Sequence, residues 1–313
     1  MSAAPPDAPS DTDGSPEEGW LSQSERGQIW MIRMAFGLAT LVGRRAMGPF
    51  VSLVALWYRL FDRKAVGHSK DWLTRVLGRP PSFGEVYRHL RCFAQVTLDK
   101  VFFLTGRTDA LQITCNGKHH LDAQVASGHG AVLLGCHLGS YDAMRAVGSD
   151  QAMPIQILGY FENAAMINAL ISQLNPHLAE RVIHLGSDPV GVMARVKDRM
   201  DEGEMVALMG DRVGLNDRIV EVDFMGQPAP INSGAFLLAS LLKCPVYLVF
   251  GLHHEPNRYD LYCEPFAERI ELPRRGKQEA LQEHAQRFAE RMEHHARRAP
   301  FNWFNFFDFW SRP

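Results

Sequence analysis

The chain holds only five cysteines in 313 residues, Cys92, Cys115, Cys136, Cys244 and Cys263, an odd number set far apart in mostly apolar surroundings. That pattern excludes a disulfide framework and predicts reduced thiols in a protein facing the cytosol. Net charge is scarce as well, at −2, so the sequence lacks the positive excess that nucleic-acid binding requires. The first 19 residues carry five acids and no lysine or arginine, the opposite of a signal peptide. No long apolar run is present either. The longest uncharged piece of the apolar segment from Ile29 to Phe61 extends from Ala46 to Tyr58, thirteen residues, against the roughly 18 to 20 that a membrane-spanning helix needs. The sequence also contains no G-x-S-x-G, which disfavours a serine hydrolase.

What is present is a composition that folds. With 46% hydrophobic and 22% charged residues, the chain can bury the core of one large domain, with or without an appendage. Three regions are expected. Residues 1–19, rich in Pro, Ser, Gly and acids, cannot build a core and are expected to be a disordered tail. Residues 20–105 are expected to form a helical region that associates with a membrane. Within Ile29 to Phe61, Arg33, Arg44, Arg45 and Arg59 interrupt the apolar pattern, and Trp30, Trp57 and Tyr58 flank it. Two short helices of that kind fit the bilayer interface, with arginines on anionic headgroups and aromatics at the boundary. The competing reading is a helical hairpin packed on the domain's own core. Ser82 and Glu85 have capping-box spacing and predict a helix over 83–105.

From residue 106 onward the pattern becomes that of an α/β domain. Strands are predicted at Ala131 to Cys136, Met153 to Tyr160, Arg181 to Leu185, Glu204 to Gly210, Ile219 to Phe224, Pro245 to Leu252 and Tyr259 to Glu264. Helices are predicted at Asp142 to Gly148, Asn163 to Leu174, Asp188 to Met200 after a cap at Ser187, Ser233 to Leu242 after Asn232, and Lys277 to Arg298. The alternation points to a sheet flanked by helices, with the last two strands paired as a hairpin around "HHEPNR". The segment from Pro300 to Trp310 has seven aromatics in eleven residues, and it is expected to close the core near the active site.

The candidate site is "GCHLGSYD", residues 135–142. His137 and Asp142 cannot share a helical face, since five residues at about 100° each set them about 140° apart. If His137 occupies the turn after the strand and Asp142 the first turn of the next helix, the carboxylate can reach the imidazole, with Gly135 and Gly139 giving the turn its latitude. A carboxylate on one ring nitrogen leaves the other as a general base. The nucleophile then has to be a substrate hydroxyl, which makes the site that of an acyltransferase using a thioester donor. The alternative for H-x-x-x-x-D is coincidence in a chain with 13 histidines. Asp211 and Arg212 end a predicted strand. Arg212 is placed to hold a phosphate or an oxyanion, or to pair with Asp211 or Asp217. Asn232, Ser233 and Gly234 could present amides to an anion or simply cap a helix, and Arg145 could meet a donor phosphate or nothing. His119-His120, His253-His254 and His294-His295 lack ligand-spaced partners for zinc, so solvated positions are the better reading.

These blocks together resemble the bacterial lysophospholipid acyltransferase superfamily, and within it the lipid A biosynthesis acyltransferases that add a late acyl chain to a glycolipid hydroxyl. The resemblance rests on "GCHLGSYD", on Ala207 to Phe250 with its Asp-Arg and "DFMGQPAPINSG", and on the Arg-bearing apolar N-terminal segment. The "WLSQSERG" and "NWFNFFDFW" ends are similar to the aryl-polyene-pathway branch. Asp142 stands where many lipid A members carry Glu, which is closer to the glycerolipid members. The resemblance implies a mixed central sheet flanked by helices, His137 as base and Asp142 as its orienting partner. Arg212, Asp211, Asn232, Ser233 and Gly139 are expected around substrate or oxyanion, and the reaction is expected to need no metal or cofactor. The partners the resemblance implies are an acyl carrier protein or coenzyme A thioester as co-substrate and a membrane lipid or glycolipid acceptor, at the cytosolic face of the bacterial inner membrane. Two other readings remain open, a non-catalytic lipid- or carrier-binding protein with the same fold and an esterase or thioesterase.

Overall fold

The computed structural model describes residues 37–150, 153–159, 180–185, 188–213 and 218–311. The expected acidic tail, Trp30, Arg33, the predicted helix from Asn163 to Leu174, Ser187 and Asp217 lie outside them. The first elements are helices: α1 (Gly48–Phe61), α2 (Arg63–Leu77) and α3 (Phe83–Leu104). Asp62 separates the first two and caps the second, its Oδ1 accepting the Ala65 amide at 2.9 Å. The capping box starting α3 forms as expected, with Glu85 accepting the Ser82 amide at 2.7 Å and donating its own amide to Ser82 Oγ at 3.2 Å. α2, within the region expected to be helical, turns Ser69, Trp72, Leu73 and Val76 inward.

The α/β part follows as β1 (Gln112–Asn116), α4 (Lys118–Ser127), β2 (Val132–Gly135), α5 (Tyr141–Asp150), β3 (Ile155–Gly159), β4 (Val182–His184), α6 (Pro189–Asp201) and β5 (Met205–Met209). β6 (Ile219–Phe224) and β7 (Gln227–Asn232) form a separate hairpin, followed by α7 (Gly234–Leu242), β8 (Val246–His254), β9 (Arg258–Ala267) and α8 (Lys277–Arg298). The seven-stranded sheet has the order β1-β9-β8-β2-β5-β3-β4. Its strands are parallel from β8 through β4, and β9 runs against β8 with β1 parallel to β9. This is the expected α/β fold with a mixed central sheet between helices.

Strand alternation sorts the core into two faces. Val132, Leu134, Val206, Leu208, Val246 and Leu248 pack with Leu281, Ala285, Phe288 and Met292 of α8 in one cluster. Leu133, Ala207 and Val249 belong to the other face, with Tyr141 and Met144 of α5. The C-terminal aromatics close the first face. Trp303 is fully buried and stacks on Trp72 with centroids 4.8 Å apart, Phe309 is buried beside it, and Phe304 is buried in a separate cluster with Cys92, Val96 and Tyr259. Each such ring contributes about 1.5–3 kcal/mol by leaving water.

α1 packs on the rest of the protein through one face only, with Val51 and Ala55 its buried residues. Met47, Val51 and Ala39 pack on Leu98, Val101 and Phe102 of α3. On the other face Phe50, Leu53, Leu56, Trp57, Leu60 and Phe61 are exposed, Leu53 at 65% and Phe61 at 67%. Arg44 departs from the interfacial expectation. It makes a bidentate pair with buried Asp99 at 2.8 and 2.9 Å and donates to the Pro256 carbonyl, so it anchors the segment to the domain rather than meeting headgroups. Arg59 lies 4.0 Å over the Phe83 ring. Among the described residues, no helix is long and apolar enough to cross a membrane.

Candidate active site

The site forms where two neighbouring parallel strands end. β2 and β5 pair with Gly135 opposite Met209, so His137 and Asp211, each two residues further on, emerge at the same rim. There the His137 ring Nδ1 lies 2.9 Å from Asp211 Oδ1, and the His137 amide donates to Asp211 Oδ2 at 3.0 Å. Asp211 is fully buried, whereas the His137 side chain is 28% exposed. The expected pairing of His137 with Asp142 does not form. Asp142 lies on the first turn of α5, where it accepts from Arg145 Nη2 at 3.0 Å and sits 3.5 Å from Lys100 Nζ. The loop after β2 turns the ring toward the neighbouring strand, and the acid five residues past the histidine, on the second residue of α5, meets α3 instead.

Asn305 completes the arrangement and was not singled out in the sequence. Its Nδ2 donates to Asp211 Oδ2 at 3.0 Å, and its Oδ1 accepts from Arg212 Nε at 2.7 Å. Arg212 also donates to the Phe304 carbonyl at 3.3 Å. It therefore does not simply ion-pair with Asp211: one amide side chain holds both. The only sequence signal was a polar residue inside an aromatic run, "WFNFF".

The loop carrying the histidine is stitched at the backbone. The His137 carbonyl accepts from the Phe304 amide at 3.1 Å, the Gly139 amide donates to the Asn302 carbonyl at 2.8 Å, and the Ser140 amide to the Gly251 carbonyl. Gly139 has φ +78°, and a Cβ there would fall 2.0 Å from the Gly251 oxygen. Gly139 thus serves close approach, and its amide is already engaged rather than free for an oxyanion. Asn232 and Ser233 stand apart, at the β7–α7 junction. Ser233 Oγ donates to the Arg218 carbonyl at 2.7 Å and makes no side-chain cap, while Asn232 Oδ1 accepts the Gly234 amide at 2.6 Å.

Burial is the largest influence on His137 and lowers its pKa; Arg212 and Lys100 push the same way, and Asp211 opposes them. Burial alone would raise Asp211, but His137, Arg212 and Asn305 hold it well below the usual carboxylate range. The pair is a neutral imidazole on an ionised acid. With Nδ1–H donating to that acid, Nε2 is left as the basic nitrogen. Under α5, a cavity of about 90 Å³ is walled by Leu133, Tyr141, Met144, Ile155, Ala207 and Val249, with Arg145 and Lys118 among its polar lining. Among the described residues, no group of three His, Cys, Asp or Glu side chains is arranged to hold a metal ion.

Residues 21–312, nearly the whole chain, match the family model described as bacterial lipid A biosynthesis acyltransferase. No curated protein matches the chain.

Proposed function

The chain belongs to the bacterial lipid A biosynthesis acyltransferase family, and on that premise we propose that it moves an acyl chain from an acyl carrier protein or coenzyme A thioester to a hydroxyl of a membrane lipid or glycolipid. The observation that carries the proposal is the bond between His137 Nδ1 and buried Asp211. A carboxylate fixed on Nδ1 sets the tautomer, so that Nε2 takes the proton from the acceptor hydroxyl as the oxygen attacks the thioester carbon. Collapse of the tetrahedral intermediate expels the thiolate, which recovers the proton from the imidazolium. No acyl-enzyme is needed. Arg212, locked by Asn305 and the Phe304 carbonyl, is the cation best positioned to steady the developing negative charge.

The remaining features fit the same reading. Tyr141, four residues past His137, lines the cavity under α5, whose apolar walls suit the end of an acyl chain. The exposed apolar face of α1, with Arg45, Arg63 and Lys64 exposed beside it, suits an interfacial contact with anionic lipid. A cytosolic thioester donor would put that contact on the inner membrane's cytosolic face.

The test is transfer by the detergent-solubilised full chain from labelled acyl–acyl carrier protein to a membrane lipid extract, with the product identified by mass spectrometry. Wild type is expected to yield an acylated lipid that His137→Ala fails to make. Acyl release without acceptor would favour a thioesterase, and equal product from both proteins would remove His137 from the chemistry.

A further inference from the structure

An arginine next to an aspartate away from bulk water has a ready use for its guanidinium, the two-pronged pairing of fork to carboxylate. Asp211 is buried and Arg212 half-buried, they are consecutive in the chain, and they do not make that pair. The Asn305 side chain stands between them, 3% exposed. Its Nδ2 donates to Asp211 Oδ2 at 3.0 Å and its Oδ1 accepts from Arg212 Nε at 2.7 Å, so carboxylate and guanidinium are held apart by the width of one amide. Only one orientation of the amide satisfies both, with a donor toward the acid and an acceptor toward the cation. The backbone fixes where that amide sits. Phe304 N–H donates to the His137 carbonyl at 3.1 Å, the Phe304 carbonyl accepts from Arg212 Nη2 at 3.3 Å, and the Asn302 side chain bonds the amide and the carbonyl of His253 at 2.7 and 2.9 Å.

We infer that Asn305 is a positioning residue that works as a spacer, keeping Arg212 from closing on Asp211 so that the acid stays on His137 and the guanidinium keeps its charge for the reaction. The inference rests on the acyl-transfer reading above. A direct pair would cancel both charges at once, weakening the hold of Asp211 on the imidazole and the field of Arg212 at the thioester carbonyl. Asparagine is suited to prevent it. An aspartate at 305 would set oxygen against oxygen at Asp211, and an apolar residue would serve neither partner. The His137 ring reports on the arrangement. Burial lowers its pKa most; among charged groups Asp211 raises it, while Arg212 and Lys100 of α3 lower it. The Cys136 thiol, which also feels Asp211, is held neutral by burial. A change in how Arg212 meets Asp211 therefore registers at the ring.

The experiment titrates the His137 ring by nitrogen NMR in the full chain, with isotope-labelled histidine and detergent micelles, the signal being assigned by its loss in His137→Ala. Acyl transfer from acyl–acyl carrier protein to a membrane lipid extract is measured in parallel. Wild type is compared with Asn305→Ala, Asn305→Asp, Arg212→Met and the double variant Asn305→Ala with Arg212→Met, and each melting temperature is recorded. In Asn305→Ala, Arg212 should close on Asp211, lowering the ring pKa by about half a unit or more and kcat about tenfold or more, with the acceptor KM little changed. In the Arg212→Met background the same substitution only strips a donor from Asp211, so the ring pKa should hold or rise and kcat should lose less than about threefold further. Asn305→Asp adds a carboxylate and should move the ring pKa up, opposite to alanine. Asn305→Ser, whose hydroxyl is too short to reach both partners, replaces the alanine variant if that one is unstable and carries the same expectation. A ring pKa that falls equally in both backgrounds, rises in both, or stays put when Asn305 is shortened would overturn the inference. The ring titrates with or without turnover, so the expected shifts in a protein whose wild type transfers nothing would refute the acyl-transfer reading and leave the spacer standing.

Discussion

At the scale of single residues, the site is a division of labour between two aspartates. Asp211 bonds the His137 ring, the proposed base, and Asp142 is occupied by cations. Asp211→Asn is therefore expected to cut kcat by about 10² to 10⁴ through loss of the tautomer, with the fold intact by circular dichroism. A loss under about threefold would show that His137 does not depend on this partner. The pH profile should follow the environment of His137. Because burial and neighbouring cations lower its pKa from 6.5, and only the neutral ring accepts a proton, kcat/KM should fall toward acid with a midpoint below 6.5. A midpoint above 6.5 would mean that Asp211 dominates the ring. The sequence made His137 legible, since an imidazole after a buried strand and before Gly-Ser is an unusual placement. Its partner was not legible. Asp211 lies 74 residues away, and only the register of β2 against β5, which depends on the folded sheet, brings the two to one rim.

At the scale of elements, strands with inward alternation and helices with caps were readable, and the exceptions have physical causes. β6 and α8 fall where expected, from Ile219 to Phe224 and Lys277 to Arg298. β1 escaped notice because nearly all of it is exposed at the sheet edge, so it carries no apolar alternation. β7 contains Pro228 and Pro230 and reads as a turn; it is a strand because it pairs on one side only, with β6, and prolines are tolerated at an edge. α1 answers to two environments at once, with a face on α3 and an apolar face outward. Leu53→Glu with Trp57→Glu should lower co-sedimentation with anionic vesicles severalfold while moving the melting temperature little, since neither side chain is in the core. Unchanged co-sedimentation would dismiss α1 as the contact. α5 carries the third consequence. Ala207 lies on the floor beneath it, so Ala207→Phe should fill much of the cavity and shift the product toward shorter acyl chains. An unchanged product profile would place the chain elsewhere.

At the scale of the whole molecule, the interior holds histidines kept neutral by burial. Desolvation lowers His89 to about 4, His253 to about 3 and His295 to about 4. Each binds fewer protons folded than unfolded between its folded value and 6.5. The stability they contribute is therefore complete above pH 6.5 and is lost as pH falls toward 4 and 3. At full effect His89 and His295 each account for about 3 kcal/mol and His253 for about 5 kcal/mol. Urea midpoints measured from pH 7.5 to 4.5 should decline steadily below 6.5, and less steeply in a His89→Gln variant; a flat profile would contradict the burial. The C-terminal segment ties these scales together, because it supplies the ring that stacks on Trp72, the carbonyl that meets His89 and the amide that holds Asp211. Asn305 lies 94 residues beyond Asp211. During synthesis, α1 and its apolar face leave the ribosome long before that amide does. If α1 is the lipid contact proposed above, the growing chain can settle on the bilayer while His137 and Asp211 still lack the Asn305 amide, and the proposed site is completed last, already at that surface.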